Sequence, residues 1–425
     1  MHREIRTILE HVGSSLYRNS LFLITATVAR AGLSFIFWII VARFYTEVEV
    51  GWGAAIIAAM SLLALLSAPG FGAALVRFLP KAHKPLDMIN SCLTLSVIIA
   101  VVLAAIFIAG IDILSPALGF IRANVIFSLA FIFFVVLLAL SPVIDAVFMA
   151  RRRAEFVLSR VTVMLLIRLP LPILLVLFFH AFGIAASWGI AITVAFVISI
   201  FLFVPKVQNK YKPLPKLDWG IIGNMWRYSA GSYLAAIFDH APSLVLPIMV
   251  VNLLGAEPNA YFYMDWMIAS LLFTIPWAVS RSLFAEGVHF ADELAVNVGR
   301  SLKLIFLLVV PVLILILLLG NRLLLFFGEG YSVNGLHLLR ILSVSVMFIG
   351  VNRVYLAILR VEDRIRELVF IFGFTAVAIL LGSYFTIPAI GIVGIGYVWL
   401  ATQGAVSLYA IIAMVLSYRA RVVRR

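Results

Sequence analysis

The chain has 425 residues, 64% hydrophobic and only 12% charged, with a mean hydropathy of +1.16. A soluble protein carries about twice that share of charge, so composition excludes a soluble globular domain and leaves a polytopic membrane protein. The net charge of +13 does not argue for nucleic acid, because the basic residues fall in short clusters between apolar runs, as membrane loops require.

In chain order, Ile5, Ile8, Leu9, Val12 and Leu16 repeat at helical spacing between Arg3, Arg6 and Glu10. This reads as an amphipathic helix on the membrane surface over 1–19, and no cleavable signal peptide is evident there. The run Leu21–Phe44 is long enough to cross a hydrocarbon core of about 30 Å. It carries Arg30, with Thr27, Ser34 and Trp38 stacked on the same helical face. A charge at that depth must look at protein or water, so Arg30 is a candidate for holding an anionic head group in a central cavity. The plainer alternative is an arginine paired with a buried acid.

Twelve spans are expected, at about 20–44, 50–75, 89–111, 124–149, 160–180, 183–205, 228–253, 261–285, 301–320, 333–357, 367–386 and 391–417. The charge-free stretch Leu368–Tyr418 is long enough for two of them, hinged near Pro388 and Gly391. With the N-terminus in the cytoplasm, the outer side keeps only Arg43, Arg122 and Arg322, while almost every other Lys and Arg outside the spans falls inside. Both termini are therefore expected to be cytoplasmic.

A shift of 209 residues lays Arg30 on Asp239 and Ala150-Arg151 on Leu359-Arg360. Each half has an even number of spans, so the two halves form a parallel repeat about an axis along the membrane normal. The expected organisation is an N-terminal six-helix lobe at 20–205, a cytoplasmic linker at 206–222 and a C-terminal six-helix lobe at 223–425. The linker core, PKVQNKYKPLPKLDW, reads as too polar to be buried. Two lobes around a polar cavity form the architecture of an alternating-access transporter. Cys92 is the single cysteine, so neither a disulfide framework nor a cysteine metal site is expected. A Walker A loop, an HExxH motif and a loop acidic pair for metal–nucleotide are all absent, which argues against an enzyme.

Three stretches carry a family resemblance. Arg18–Lys81 (RNSLFLITATVARAG…VARFYTEVEVGWGAA…SAPGFGAALVRFLPK), Phe326–Ser343 (FFGEGYSVNGLHLLRILS) and Gly391–Gly404 (GIVGIGYVWLATQG) resemble, in order, polysaccharide flippases of the multidrug/oligosaccharidyl-lipid/polysaccharide (MOP) exporter superfamily. The major facilitator family shares the parallel repeat, but its basic loop signature is missing from Gly70–Pro85. The resemblance implies an all-α, MATE-like membrane fold. It also implies movement of a polyprenyl-pyrophosphate-linked oligosaccharide from the cytoplasmic to the outer leaflet of the plasma membrane. The expected partners are that lipid-linked oligosaccharide, membrane lipids and glycan-assembly enzymes, with a monomer as the working state. A cation-coupled drug exporter of the same superfamily is the nearer alternative, and a membrane-embedded glycan polymerase the more distant one.

A pyrophosphate needs cations and excess donors, a role for Arg30 and Arg168 with Thr27 and Ser34 beside them. Asp145, Asp239 and Asp265 lie in other spans, and a buried carboxylate can bind Na⁺ or exchange a proton for coupling. His240 could share that proton. The competing assignment makes Arg30–Asp239 and Arg168–Asp145 plain ion pairs. Arg30 and Asp239, being pseudo-equivalent, could also meet in one state and be separated by phosphate. Orientation is testable directly: in a Cys92→Ala background, Lys212→Cys should react only with a reagent applied to the cytoplasmic face, and Asp112→Cys only from outside. Reversed labelling overturns the topology.

Overall fold

Hydrocarbon offers no hydrogen-bond partner, so a lipid-crossing backbone must satisfy its own groups, and an all-helical chain does so locally. The computed structural model describes residues 15–289 and 294–423, helical almost throughout and without a strand among the described residues. The surface helix expected over 1–19 lies outside the described residues up to position 14. The first half contains α1 (Ser15–Phe44), α2 (Glu47–Ser67), the short α3 (Phe71–Phe78), α4 (Pro85–Ala109), α5 (Val125–Ala150), α6 (Ala154–Arg168) and α7 (Leu171–Ile198). The second contains α8 (Trp219–Leu253), α9 (Ala256–His289), α10 (Leu294–Leu325), α11 (Glu329–Val344), α12 (Val346–Val361), α13 (Ile365–Ile390) and α14 (Ile392–Val423). Local caps mark the starts: Asn124 Oδ1 accepts from the Ile126 and Phe127 amides, and Asp218 Oδ1 from those of Gly220 and Ile221.

Eleven helices among the described residues are long and apolar enough to cross a membrane, against the twelve expected. The difference lies between residues 154 and 207. Pro170 and Pro172 lack the N–H that would continue the α6 ladder, yet Leu169 and Pro170 keep helical dihedrals, so the chain runs on into α7. At His180 the backbone leaves helical space, with φ 45° and ψ −132°. A Cβ built on Gly183 would sit 3.1 Å from the Leu175 carbonyl oxygen, eight residues earlier. A straight helix would separate those positions by about 12 Å. The chain therefore turns back at His180, and its two arms are the fifth and sixth crossings. Gly391, at φ 67° and ψ −155°, makes the corresponding break between α13 and α14. Pro242 and Pro247 lie inside the continuous 35-residue α8.

Two compact units emerge. The first comprises Met1–Thr46 and Ile56–Tyr233, the second Glu47–Ala55 and Leu234–Arg425, so α2 and α8 each contribute to both. In the first, Phe71, Leu75, Cys92, Val143, Phe148, Val161 and Leu165 meet in one apolar core. The lysines of the linker, Pro213 and Pro215 are exposed, as its polarity implies, but the segment is anchored at one residue. Tyr211 is 6% exposed and packs into that core, and burial pushes its phenol above the ordinary tyrosine value. Asn90 donates to the Lys212 carbonyl, Ser91 accepts from the Asp218 amide, and Lys216 pairs with Asp87 at 2.8 Å, strapping the segment along α4. The second unit has its own core, in which Tyr355, Leu359, Ile371, Phe372 and Ala410 pack together.

Within the second unit the first residues of α2 pack on the start of α9, with Asn259 Nδ2 donating to the Gly51 carbonyl at 2.7 Å. A Cβ on Gly51 would lie 1.7 Å from the Ala256 carbonyl oxygen, a backbone atom that cannot step aside. Gly51→Ala should therefore lower the thermal unfolding midpoint of the purified protein, with a cost of roughly 1–3 kcal/mol. Gly72→Ala, where nothing lies within 4 Å, should leave it unchanged.

Candidate functional site

Buried charge is costly unless paired, so the site is built most directly by asking where each membrane-embedded charge goes. In the first unit Asp145 of α5 takes Arg160 of α6 in a fork, Nε to Oδ1 at 2.8 Å and the terminal nitrogen to Oδ2 at 2.5 Å. Arg160 is 3% exposed. The expected Arg168–Asp145 pair is thus not made. The two residues that do pair flank the Arg151–Arg153 turn at similar distances, so the helical hairpin brings them to one depth. That symmetry was a usable signal, but Arg160 reads from sequence as a cytoplasmic-loop charge.

Arg168 goes elsewhere. It donates to Ser34 Oγ at 2.8 Å, and its guanidinium lies 4.6 Å from the Phe37 ring centroid and 4.5 Å from that of Trp188. Aromatic faces attract a cation, and this arginine is only 2% exposed. Thr27, exposed on α1, donates to its own helix at Leu23 O. Arg30 differs from both other arginines: it is exposed, and among the described residues it makes no hydrogen bond or ion pair. It feels the charges of Asp145 and Arg160. The first unit therefore groups two arginines with one aspartate, a net positive centre with one open cation.

In the second unit Asp239 of α8 takes Arg353 of α12, at 2.8 and 3.2 Å, again as a two-bond fork. His240 next to it is exposed and points no hydrogen bond at the carboxylate; its backbone carbonyl accepts from Ser243. This pair lines a cavity of about 290 Å³ within the unit. Asp265 of α9 stands apart, at 0% exposure and with neither carboxylate oxygen hydrogen-bonded among the described residues. Helix α11 packs directly on it, since a Cβ on Gly335 would lie 2.6 Å from Oδ1. The structure thus joins Asp145 and Asp239 to arginines the sequence reading had not matched to them, and leaves Arg30 and Asp265 open.

The all-helical, multi-pass fold has counterparts among solved structures. A MATE family multidrug resistance transporter of the MOP superfamily in an inward-facing conformation is similar at a TM-score of 0.70 and 15% identity, over 92% of this chain and 94% of that one. The lipid II flippase MurJ in an inward closed conformation is similar at a TM-score of 0.76 and 11% identity, over 93% and 87%. A MOP superfamily transporter from Pyrococcus furiosus follows at 0.66 and 15%, over 96% of each chain. Residues 16–231, half of the chain, match the family described as "Polysaccharide biosynthesis protein", and the chain belongs to it. A Shigella flexneri protein described as "Putative O-antigen transporter" is 26% identical over 167 residues, which span 37% of this chain and 40% of that relative. The family resemblance read from the three sequence stretches holds: the chain belongs to this polysaccharide biosynthesis family and has the MATE-like fold.

Because Arg160 is enclosed, removing its partner alone strands a charge. Asp145→Leu should destabilise the protein by about 3–5 kcal/mol, while Asp145→Leu with Arg160→Met should recover most of that loss. Equilibrium unfolding of the single and double variants measures both terms.

Proposed function

We propose that the protein flips a polyprenyl-pyrophosphate-linked oligosaccharide from the cytoplasmic to the outer leaflet by alternating access, supplying cell-surface polysaccharide assembly. The observation that supports this most is Arg30. A guanidinium left open on a membrane-spanning helix, beside an Asp145–Arg160 pair that brings a second positive charge and only one negative, is built for an anion. Planar, forked donors suit phosphate oxygens, and a pyrophosphate supplies more acceptors than a carboxylate. Arg168, boxed between rings, donates to Ser34, one turn along α1 from Arg30 on the same face. Membership in a polysaccharide family supports the same substrate class.

Coupling is assigned to Asp265. A carboxyl enclosed in the second unit without a donor can exchange a proton or a monovalent cation when its surroundings open, whereas Asp145 and Asp239 are already committed to arginines. His240 is left as a neighbour of the Asp239 pair rather than a proton carrier.

In proteoliposomes loaded with a labelled polyprenyl-pyrophosphate sugar, wild type should bring the label to the opposite leaflet. Arg30→Ala should slow it tenfold or more, the loss of a charge-assisted bond worth roughly 1.5–3 kcal/mol, and Arg30→Lys should retain part of the rate. Movement unaffected by Arg30→Ala removes the anchor role. No movement, with uptake of a cationic dye driven by a proton or Na⁺ gradient, makes the protein a drug exporter instead.

A further inference from the structure

The cavity of the second unit lies between α8, α9, α12, α13 and α14, and its lining combines two chemistries. The first is aromatic. Trp266 of α9 meets Trp399 of α14 edge to face, with ring centroids 4.7 Å apart at 89°. Phe273, two turns along α9 from Trp266, lies nearly parallel to the same Trp399 at 6.2 Å and 12°. These three rings form a corner of apolar faces.

Interleaved with the rings on the same helices, and joined by α8 and α12, are polar groups rich in acceptors. Asn352 gives its amide hydrogens to Gln403, at 3.1 Å to the backbone carbonyl and 2.8 Å to Oε1. Its own Oδ1 is buried and has no partner among the described residues, although Asn352 is only 4% exposed. A buried amide oxygen left in that state calls for a donor. Ser270 and Thr274 spend their hydroxyl hydrogens on carbonyls of their own helix, so lone pairs are what they can offer a ligand. Asp239, held by Arg353 through one bond to each oxygen, has further lone pairs to give.

We propose that this cavity is a sugar-ring subsite. It takes one pyranose of the transported lipid-linked oligosaccharide, its C–H face against the Trp266–Phe273–Trp399 corner and its hydroxyls donating to Asn352 Oδ1 and Asp239. The inference rests on the flippase function proposed above and adds a recognition element to it. A sugar is the ligand that brings an apolar ring face and several O–H donors together. Phosphate brings acceptors to a lining rich in acceptors, in which Arg353 is already held by Asp239, and an acyl or prenyl tail would bury the Asp239–Arg353 pair and Asn352 without a donor. A cationic drug suits the rings, but Arg353 already neutralises Asp239. The volume of about 290 Å³ is at the lower limit of small-molecule sites, which run from roughly 300 to 1,000 Å³, so it accepts a single ring rather than the whole glycan.

The test uses the purified full chain in lipid nanodiscs and a ten-carbon polyprenyl pyrophosphate, either bare or carrying one galactose, glucose or N-acetylglucosamine. Binding is followed by tryptophan fluorescence and by calorimetry. At least one sugar-bearing probe should bind about tenfold more tightly than the bare one. Trp266→Leu and Asn352→Leu should erase that preference while leaving the affinity for the bare probe unchanged, and Trp266→Phe should keep part of it. Equal binding of every probe by wild type overturns the subsite and leaves the flippase standing. A Trp266→Leu variant that weakens bare and sugar-bearing probes alike also overturns it, because the rings then only shape the fold. Failure of wild type to bind any pyrophosphate probe, with dye transport in its place, overturns the flippase function and the subsite with it.

Discussion

An ion inside a bilayer has nowhere to hide its charge except another protein group, and that constraint organises this molecule more than any apolar contact does. Two carboxylates, Asp145 and Asp239, are each closed by a two-bond arginine fork, one in each unit. Arg168 meets the same constraint with aromatic faces and a hydroxyl rather than with an acid. Once these are satisfied, Arg30 and Asp265 stand out because nothing described closes them. Function is most economically placed on groups that the fold has left open. One is a cation on the first unit, the other a carboxyl enclosed in the second.

The division of labour that results is chemical. Under the proposed function, the first unit offers positive charge suited to a pyrophosphate. The second offers a cavity that combines aromatic rings with acceptors, suited to the part that differs between glycans. A transporter arranged this way would hold every substrate by the same anchor and discriminate among them by a single ring. Such discrimination comes cheaply when a site is built of unsatisfied acceptors, since a ligand without matching hydroxyls leaves them buried and unpaired.

Particular elements show what was legible in the residue order. The spans were legible because a hydrocarbon slab imposes a length and an apolar content on any helix that crosses it. Even the twelfth, hidden where α7 merges two arms, is recovered once the reversal at His180 is recognised. The linker's lysines, Pro213 and Pro215 stay exposed, as their polarity implies; what polarity does not show is that Tyr211 anchors the segment in the first core and that its backbone is laced to α4. Polarity of a segment says little about where a single tyrosine within it packs.

The sequence by itself determined the membrane class, the span pattern and the family, because hydropathy and residue identity are local properties. Only the tertiary structure decided who pairs with whom. Arg160 rather than Arg168 closes Asp145, and Arg353 closes Asp239 across 114 positions of chain. Pairing depends on the rotation of each helix about its own axis and on which neighbour it meets, and a helix can turn by one residue without changing its hydropathy at all. The aromatic corner of Trp266, Phe273 and Trp399 arises in the same way, from two helices whose rings converge only when α9 and α14 are packed side by side.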